Sequence, residues 1–190
     1  RIGPQFLYAG PGFGGSCFPK DVRALLQLAK ENDSSLQILD SVMKANKRQK
    51  EFCSEKIKAC FPNLKDKKIA VWGLSFKPGT DDVREAPAKE IIQDLLSAGA
   101  KVIAHDPKAK ESFKAHFGED QNLTYCDKSY DCLKGANALV LMTEWREYLW
   151  PNWQVVSSLL LEKIVFDFRN QYVKEDLEEI GIKYFSIGRS

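Results

Sequence analysis

One cysteine in this chain lies in a sequence that favours a reactive thiolate. Cys17 follows a glycine-rich run and precedes Pro19 and an apolar pattern with helical spacing. Proline is preferred at the first positions of a helix, so we predict a helix that begins at Pro19. The unpaired N–H groups and the dipole at a helix N-terminus stabilise a thiolate, and Lys20 adds positive charge nearby. Because glycines let the backbone approach a bound molecule closely, the whole segment suits a nucleophile at Cys17.

The same cysteine has a second, non-catalytic interpretation. A free cysteine is more often a small buried apolar residue than a catalyst, and local physics leaves both interpretations open. The string Gly10-x-Gly12-x-x-Gly15 also matches a dinucleotide fingerprint, but only the short segment 6–9 precedes it and Cys-Phe-Pro interrupts the entry to the helix. A true fingerprint joins a buried strand directly to a helix, so we reject this string as a cofactor loop.

One histidine and the four other cysteines have no interpretation as catalytic or metal-binding residues. His105 lies within a predicted strand in another part of the chain, which indicates packing or hydrogen bonding rather than general-base catalysis. Cys53 and Cys60 lie on one face of a predicted helix, which indicates core packing. Cys126 and Cys132 lack the spacing of a metal clamp, so we predict no metal site.

The elements that position Cys17 begin with a helical block, which we assign to residues 1–65. Ser34 and Gln37 have capping-box spacing at the start of a helix that we expect to run to Phe61. The apolar residues that repeat on one face of this helix are Leu39, Val42, Met43, Cys53, Ile57 and Cys60. We interpret the charged stretch 44–50 as a solvated face. The apolar face is long enough to pack against another copy of the chain, so we predict a homodimer.

Residues 66–190 form a second block in which apolar strands alternate with helices. We predict strands at residues 68–76, 101–105, 123–126, 138–142, 164–168 and 184–187, and a helix at 87–98. Near-continuous apolar strands separated by helices are typical of a parallel sheet covered on both faces. The sequence therefore predicts an α/β fold, in which a helical segment precedes a Rossmann-like, doubly wound parallel sheet.

Polar residues lie at the predicted ends of three of these strands. They are Phe76-Lys77, Asp106 and Arg169, and ligands of doubly wound sheets bind at such ends. The turn that begins at Gly73 lacks the glycine pattern of a dinucleotide-binding loop, so we do not expect this sheet to bind NAD in the usual way. Lys77 lies where a phosphate-bearing ligand would meet it, but the residues alone equally allow an exposed loop cation, since most surface charges have no specialised role.

The composition excludes several classes of protein. A formal net charge of +2 with interleaved acidic and basic residues gives no basic stripe for nucleic acid. The 44% hydrophobic content supports a packed core, and no apolar stretch approaches the roughly 18 residues of a membrane span. The odd number of cysteines, without the spacing of a disulfide framework, favours the reducing cytoplasm.

Three segments of the chain resemble the UDP-glucose/GDP-mannose dehydrogenase family. The first is Phe-Leu-Tyr-Ala-Gly-Pro-Gly-Phe-Gly-Gly-Ser-Cys-Phe-Pro-Lys-Asp, at residues 6–21. The second is Gly-Leu-Ser-Phe-Lys-Pro-Gly-Thr-Asp-Asp-Val-Arg-Glu, at residues 73–85. The third is Thr-Glu-Trp at 143–145, followed by Asp-Phe-Arg-Asn at 167–170. They occur in the order of the family and together cover nearly the whole chain.

The resemblance implies an NAD-dependent, four-electron oxidation of UDP-glucose to UDP-glucuronate. It makes Cys17 the nucleophile, which forms a thiohemiacetal and then a thioester, and it makes Asp21 the residue that positions or activates water. It implies cofactor contacts at Lys20 and Arg84. The substrate contacts that it implies are Phe6, Leu7, Tyr8, Ala9, Gly10, Gly14, Phe76, Lys77 and Arg169.

Two questions stay open in the sequence. Members of the family begin with an NAD-binding domain and a central helix that carries a catalytic lysine and asparagine, neither of which we find here. We therefore expect a C-terminal fragment that retains nucleotide-sugar binding and lacks turnover. The substrate can be UDP-glucose or, as the alternative, GDP-mannose, and a non-catalytic nucleotide-sugar-binding and dimerisation module is the other possible function.

Overall fold

A computed structural model describes residues 3–189, apart from the side chains of Gln5 and Phe6, as one parallel sheet with helices on both faces. The helices are α1 (Phe18–Glu31), α2 (Gln37–Ala59), α3 (Pro87–Ser97), α4 (Lys110–Phe117), α5 (Trp153–Leu159) and α6 (Lys174–Glu179). The strands are β1 (Lys68–Trp72), β2 (Lys101–His105), β3 (Leu123–Tyr125), β4 (Ala138–Leu141), β5 (Ile164–Asp167) and β6 (Lys183–Ser186). Short 3₁₀ helices cover Pro4–Leu7, Ser129–Leu133 and Arg146–Tyr148.

The sheet has the strand order β3-β2-β1-β4-β5-β6, and every neighbouring pair is parallel. The order reverses between β1 and β4, so the carboxyl ends of these two strands border the crevice in which doubly wound sheets bind ligands. The structure confirms the predicted α/β class, and each of the six predicted strands is present.

Alternation along each strand divides the core between the two faces of the sheet. In β1, Ile69 and Val71 face the layer that contains α2, α3 and α4, whereas Ala70 and Trp72 face the layer that contains α5 and α6. All four side chains are buried. Both faces are covered because each parallel connection places a helix on one face or the other.

Helix α2 contacts the glycine-rich run with its middle turns and packs in the core of the sheet with its C-terminal turns. Cys53 and Ile57 are fully buried and pack in the same cluster as Ile91 and Leu95 of α3. The core positions predicted for Cys53 and Ile57 are therefore confirmed. The N-terminal part of α2 is more open, and Ile38 is 80% exposed.

Two predicted boundaries are wrong. The first strand ends at Trp72 rather than at residue 76, because Gly73 adopts a φ of +96° and the next amides turn away from the ladder. The predicted capping box is not formed. Ser34 belongs to the turn that ends α1, where its N–H donates to the carbonyl of Ala29, and Leu36 precedes the first turn of α2.

Within residues 3–189, none of the helices combines the length and the apolar character that crossing a membrane requires.

Candidate functional site

Cys17 is an exposed thiol at the residue that precedes the first turn of α1. Its carbonyl accepts the first helical bond, from the N–H of Asp21 at 2.8 Å, and its sulfur lies 3.6 Å from the Ser16 hydroxyl oxygen. Pro19 occupies the second helical position. The structure therefore places the cysteine at a helix N-terminus, as the sequence predicts, and it places Asp21 one turn further along the helix.

Two cations lie within electrostatic reach of the Cys17 sulfur. Lys20 forms an ion pair with Asp21 at 2.8 Å, and Asp21 raises the pKa of Lys20 with a smaller contribution from Cys17. Arg84 donates two hydrogen bonds to Asp82, both of 2.9 Å, and Asp82 raises its pKa, again with a smaller contribution from Cys17. The two residues to which the resemblance implies cofactor contacts thus both interact electrostatically with Cys17.

The glycine segment, which we define as residues 10–15, packs against the backbone that precedes α3. The Gly15 N–H donates to the Arg84 carbonyl at 2.8 Å. A Cβ at Gly14 would lie 2.3 Å from the Glu85 carbonyl oxygen, which is closer than real atoms approach. The sequence predicts that these glycines admit a bound molecule. The close approach that the structure shows at Gly14 is to the chain itself.

Glu85 fixes this contact from the other side. It adopts a φ of +55°, which is rare for a residue with a side chain. Arg23 of α1 donates to both Glu85 carboxylate oxygens, at 2.6 and 3.3 Å, and lowers the pKa of Glu85. The strained backbone and the ion pair together hold α1 and the glycine segment in one position.

Arg169 joins the strand ends to the glycine segment. Its guanidinium donates to the carbonyls of Met142, at 2.7 Å, and Phe76, at 3.4 Å, and lies 3.1 Å from Glu144. The side chain is only 15% exposed, and burial lowers its pKa while Glu144 opposes the shift. A Cβ at Gly10 would lie 3.3 Å from one of its nitrogens, so Arg169 and Gly10 are neighbours.

Lys77 does not leave the end of a strand, as the sequence predicts, but lies five positions beyond Trp72 in the following loop. Its ammonium nitrogen is 5.2 Å from the centre of the Phe76 ring. The same ring covers Gly15, where a Cβ would meet it at 2.9 to 3.1 Å. The Phe76 ring thus lies between Gly15 and the exposed ammonium of Lys77, which places that charge near the glycine segment.

Asp106 is a structural residue rather than a ligand contact. One of its buried oxygens accepts from the N–H groups of Leu74 and Ser75, at 2.7 and 3.1 Å, and from the Trp145 indole at 3.0 Å. The other oxygen accepts from two N–H groups at the start of the next turn. These bonds occupy the amides with which a dinucleotide-binding turn would approach a pyrophosphate, which agrees with the prediction for this sheet.

The remaining predicted substrate contacts lie at the start of the described chain. Leu7 and Tyr8 are 79% and 68% exposed, and Ala9 is exposed too. The side chain of Phe6 lies outside the described part of the chain. Among residues 3–189, no group of three or more histidine, cysteine, aspartate or glutamate side chains is arranged to hold a metal ion.

Sequence reasoning missed three residues of α2 that contact the glycine segment. Asn46, Gln49 and Lys50 lie in the stretch that we predicted to be a solvated face. That prediction is wrong for these residues, because Asn46 and Lys50 are buried and Gln49 is half-buried. One signal in the sequence could have indicated these contacts: Asn46 is an uncharged amide within a run of charged residues on a predicted helix.

Both histidines are engaged away from Cys17. A ring nitrogen of His105 lies 2.7 Å from the Tyr148 hydroxyl, whose proton is donated to the His105 carbonyl at 3.0 Å. His116 is exposed and contacts the Ser112 carbonyl of its own helix. Burial lowers the pKa of His105, and Glu147 is the largest opposing influence. The structural role predicted for His105 is consistent with these contacts.

We expect His105 to lower the free energy of unfolding as pH falls from 7.5 to 5.5. Its pKa in the folded chain lies below the unfolded value of about 6.5, so the unfolded chain takes up the proton first. The contribution of neutral His105 to the free energy of unfolding is therefore fully present above pH 6.5. It decreases below that pH by at most about 1.4 kcal/mol per pH unit. Urea unfolding at several pH values measures the slope. His105→Gln should flatten it and His116→Gln should not; an unchanged slope in His105→Gln contradicts the assignment.

The chain is similar to known proteins both at the level of a family and at the level of individual relatives. A model described as the UDP binding domain of the UDP-glucose/GDP-mannose dehydrogenase family matches residues 70–174. A model for the central domain of the same family matches residues 1–48. The central-domain match precedes the UDP-binding match along the chain, and the two together cover residues 1–48 and 70–174.

Individual relatives align along the whole chain. It is 43% identical to the UDP-glucose 6-dehydrogenase of Pseudomonas aeruginosa, covering 100% of this chain and 43% of that protein. It is 42% identical to the Rickettsia bellii enzyme of the same name, covering 99% of this chain and 43% of that protein. A solved UDP-glucose dehydrogenase from Pyrobaculum islandicum superposes with a TM-score of 0.83 at 32% identity, covering 100% of this chain and 41% of that chain. The chain thus spans less than half the length of these relatives.

Proposed function

This chain belongs to the UDP-glucose/GDP-mannose dehydrogenase family, and we propose that it is part of an enzyme that oxidises UDP-glucose to UDP-glucuronate with NAD. The position of Cys17 carries the proposal. It is an exposed thiol at a helix start, beside Lys20 and Arg84, on a segment that packs next to the carboxyl edge of a doubly wound sheet. The names of the relatives favour UDP-glucose as the substrate.

We assign the two blocks different parts of this function. Residues 1–65 supply the catalytic segment and the dimerisation helices, and residues 66–190 bind the nucleotide sugar. The description of the family model that matches residues 70–174 supports the second assignment. The exposed apolar residues Leu25, Leu28 and Ile38 on α1 and α2 support a homodimer. The free thiols favour the cytoplasm.

The proposed reaction needs a thiol because its first product, an aldehyde, must be oxidised again. The Cys17 sulfur adds to the aldehyde carbon and the oxygen takes up a proton, which gives a thiohemiacetal. Loss of a hydride and of the hydroxyl proton leaves a thioester. Water then adds to the carbonyl, the C–S bond breaks with return of a proton to sulfur, and the uronate leaves. We propose that Asp21, one helical turn from Cys17, positions or activates this water.

NAD, when bound, supplies the oxidising power, and one molecule of NAD is reduced for each of the two hydrides. The sheet described here does not fit the dinucleotide at its first turn, because Asp106 occupies the amides of Leu74 and Ser75. Lys20 and Arg84 do fit a contact with a cofactor phosphate. Their side chains are 73% and 58% exposed, so their present ion pairs with carboxylates are weak and leave the cations accessible.

We propose that the nucleotide sugar lies along the edge formed by Gly10, Phe76, Lys77 and Arg169. Arg169 is largely buried and already bonded to two carbonyls, so it can shape this edge and offer its remaining N–H groups to the ligand. Lys77 is exposed and can reach the diphosphate with a charge-assisted hydrogen bond. The exposed segment Leu7–Ala9 can cover the sugar.

We expect Lys77→Ala to weaken binding of UDP to this chain by about 1.5 to 3 kcal/mol, the usual worth of a hydrogen bond to a charged group. Calorimetric titration with UDP measures the change. Lys65→Ala is the matched control, since Lys65 is exposed at the opposite edge of the sheet, against Gly99. Equal affinity of Lys77→Ala and the unchanged chain for UDP would contradict the placement of the diphosphate.

The same titration separates the candidate functions. Tighter binding of UDP-glucose than of GDP-mannose supports the proposed substrate, and the reverse order supports the alternative. If a protein with the full length of the relatives binds UDP-glucose without reducing NAD, the chain is instead part of a nucleotide-sugar-binding and dimerisation module.

A further inference from the structure

The glycine segment depends on another part of the chain for its backbone hydrogen bonds. It contains two residues with positive φ, Gly12 at 109° and Gly15 at 91°, and lies outside helices and strands. Buried backbone N–H and C=O groups need partners, and a segment of this kind cannot supply them itself. One partner is the Arg84 carbonyl, which accepts from Gly15. Side chains of α2 supply partners for Gly10 and Phe13.

Asn46 holds both polar groups of Phe13. Its side-chain oxygen accepts from the Phe13 N–H at 2.7 Å, and its side-chain nitrogen donates to the Phe13 carbonyl at 3.1 Å. Asn46 is only 9% exposed, so water competes little for these bonds. One turn further along α2, the Gln49 amide donates to the Gly10 carbonyl at 2.8 Å.

Lys50 completes the contact surface. A Cβ at Gly12 would lie 2.7 Å from the Asn46 side-chain oxygen and 3.2 Å from the Lys50 Cγ, so the segment lies directly on these two side chains. The Lys50 side chain is 5% exposed, and its ammonium is paired with Glu90 of α3 at 2.5 Å. The lysine therefore serves the segment through its aliphatic stem, while its charge is neutralised by α3.

These side chains share the buried face of α2. Positions 46, 49, 50, 53 and 57 follow the helical spacing of three and four residues, and Cys53 and Ile57 are fixed in the core of the sheet. The glycine segment, which leads into Cys17, is consequently held in a fixed position relative to the sheet through one helix. The Arg84–Ala86 backbone bounds it on the other side, through Gly14 and Gly15.

We propose that Asn46 is a positioning residue for Cys17: its amide fixes the Phe13 peptide and thereby sets the place of the nucleophile relative to the strand-end edge. The consequence for turnover rests on the proposed function. The consequence for the backbone does not, and it can be measured in this chain alone.

The direct test is hydrogen exchange of the Phe13 amide, measured by NMR in the 190-residue chain. Asn46→Ala should speed this exchange about tenfold or more, because the amide loses its acceptor. Asn46→Asp keeps an acceptor and should retain most of the protection. Gln49→Ala is the matched control, since it removes a bond to Gly10 and leaves that of Phe13 in place. The amides of α3 report global unfolding.

Two exchange results would overturn the proposal. One is unchanged exchange of Phe13 in Asn46→Ala. The other is a rise of equal size at Phe13 and in the core amides of α3, because Asn46 would then act only on overall stability.

Turnover supplies the second readout, in a protein with the full length of the relatives. Asn46→Ala should lower kcat by about tenfold to a hundredfold, with KM for the nucleotide sugar nearly unchanged, since a nucleophile displaced by about 1 Å reacts more slowly from the same bound state. Faster Phe13 exchange with unchanged kcat would overturn the positioning role. Absence of turnover in the unchanged protein would refute the proposed function instead, and the exchange experiment would then decide the role of Asn46.

Discussion

Replacement of Cys17 by serine is expected to lower the proposed turnover by at least about 10³-fold in a protein with the full length of the relatives, which is typical of the loss of a covalent nucleophile. A serine hydroxyl at the start of α1 is far less ionised than a thiol at neutral pH, so it adds to the aldehyde slowly. The sugar nucleotide should still bind, because the proposed binding edge lies on other residues, among them Lys77 and Arg169. Steady-state kinetics and calorimetric titration with UDP-glucose measure the two effects separately.

The control for this experiment is another cysteine. Cys126 is a half-buried thiol whose pKa is raised by burial, so Cys126→Ser should leave turnover close to that of the unchanged enzyme. A Cys17→Ser enzyme that retained a tenth of the original turnover would contradict covalent catalysis by Cys17. Loss of UDP-glucose binding in the same variant would place the cysteine in the binding edge instead.

Replacement of Gly14 by alanine is expected to destabilise the glycine segment strongly, because the added methyl group meets backbone atoms. The new Cβ would lie 2.3 Å from the Glu85 carbonyl oxygen and 2.8 Å from its carbon, and these are backbone atoms that a rotamer change cannot move. The glycine segment must therefore shift away from Arg84–Ala86. We expect about 1 to 3 kcal/mol lower stability, from overpacking, and about 100-fold lower turnover in a protein with the full length of the relatives, if it has the proposed activity.

Gly10→Ala is the matched comparison for Gly14→Ala. At Gly10 the added Cβ meets a guanidinium nitrogen of Arg169 at 3.3 Å, and the end of that side chain can adjust. Thermal unfolding of the 190-residue chain should therefore show a smaller loss of stability for Gly10→Ala than for Gly14→Ala. Equal stability of Gly14→Ala and the unchanged chain would show that the segment is held less tightly than its contacts indicate.

Sequence reasoning predicted the sheet well because its information is local. Runs such as residues 68–72 and 138–141 are apolar and bounded by turn residues, so each identifies a buried strand without knowledge of its neighbours. The position of Cys17 was also predictable, since Pro19 marks a helix start within two residues of it. Where the pattern continued past a structural limit, as in residues 73–76, the end of the strand was missed.

The roles of polar residues were less predictable because their partners are distant in the sequence. Asp106 looked like a ligand group at a strand end, but it bonds Leu74 and Ser75, which are 32 and 31 residues away. Asn46 looked solvent-facing, but it bonds Phe13, 33 residues away. The residue types of Leu74 and Phe13 do not reveal these contacts, since their backbone N–H groups form the bonds.

Helix α2 also determines how the molecule can come apart. Its buried residues Cys53 and Ile57 belong to the same core as α3 and β1, whereas Asn46 and Gln49 hold the glycine segment. Protease cleavage near residue 65 would therefore leave two pieces that still adhere, each covering apolar surface of the other. Division at this point would yield a nicked complex rather than two independent modules, and the glycine segment and the sheet would unfold together.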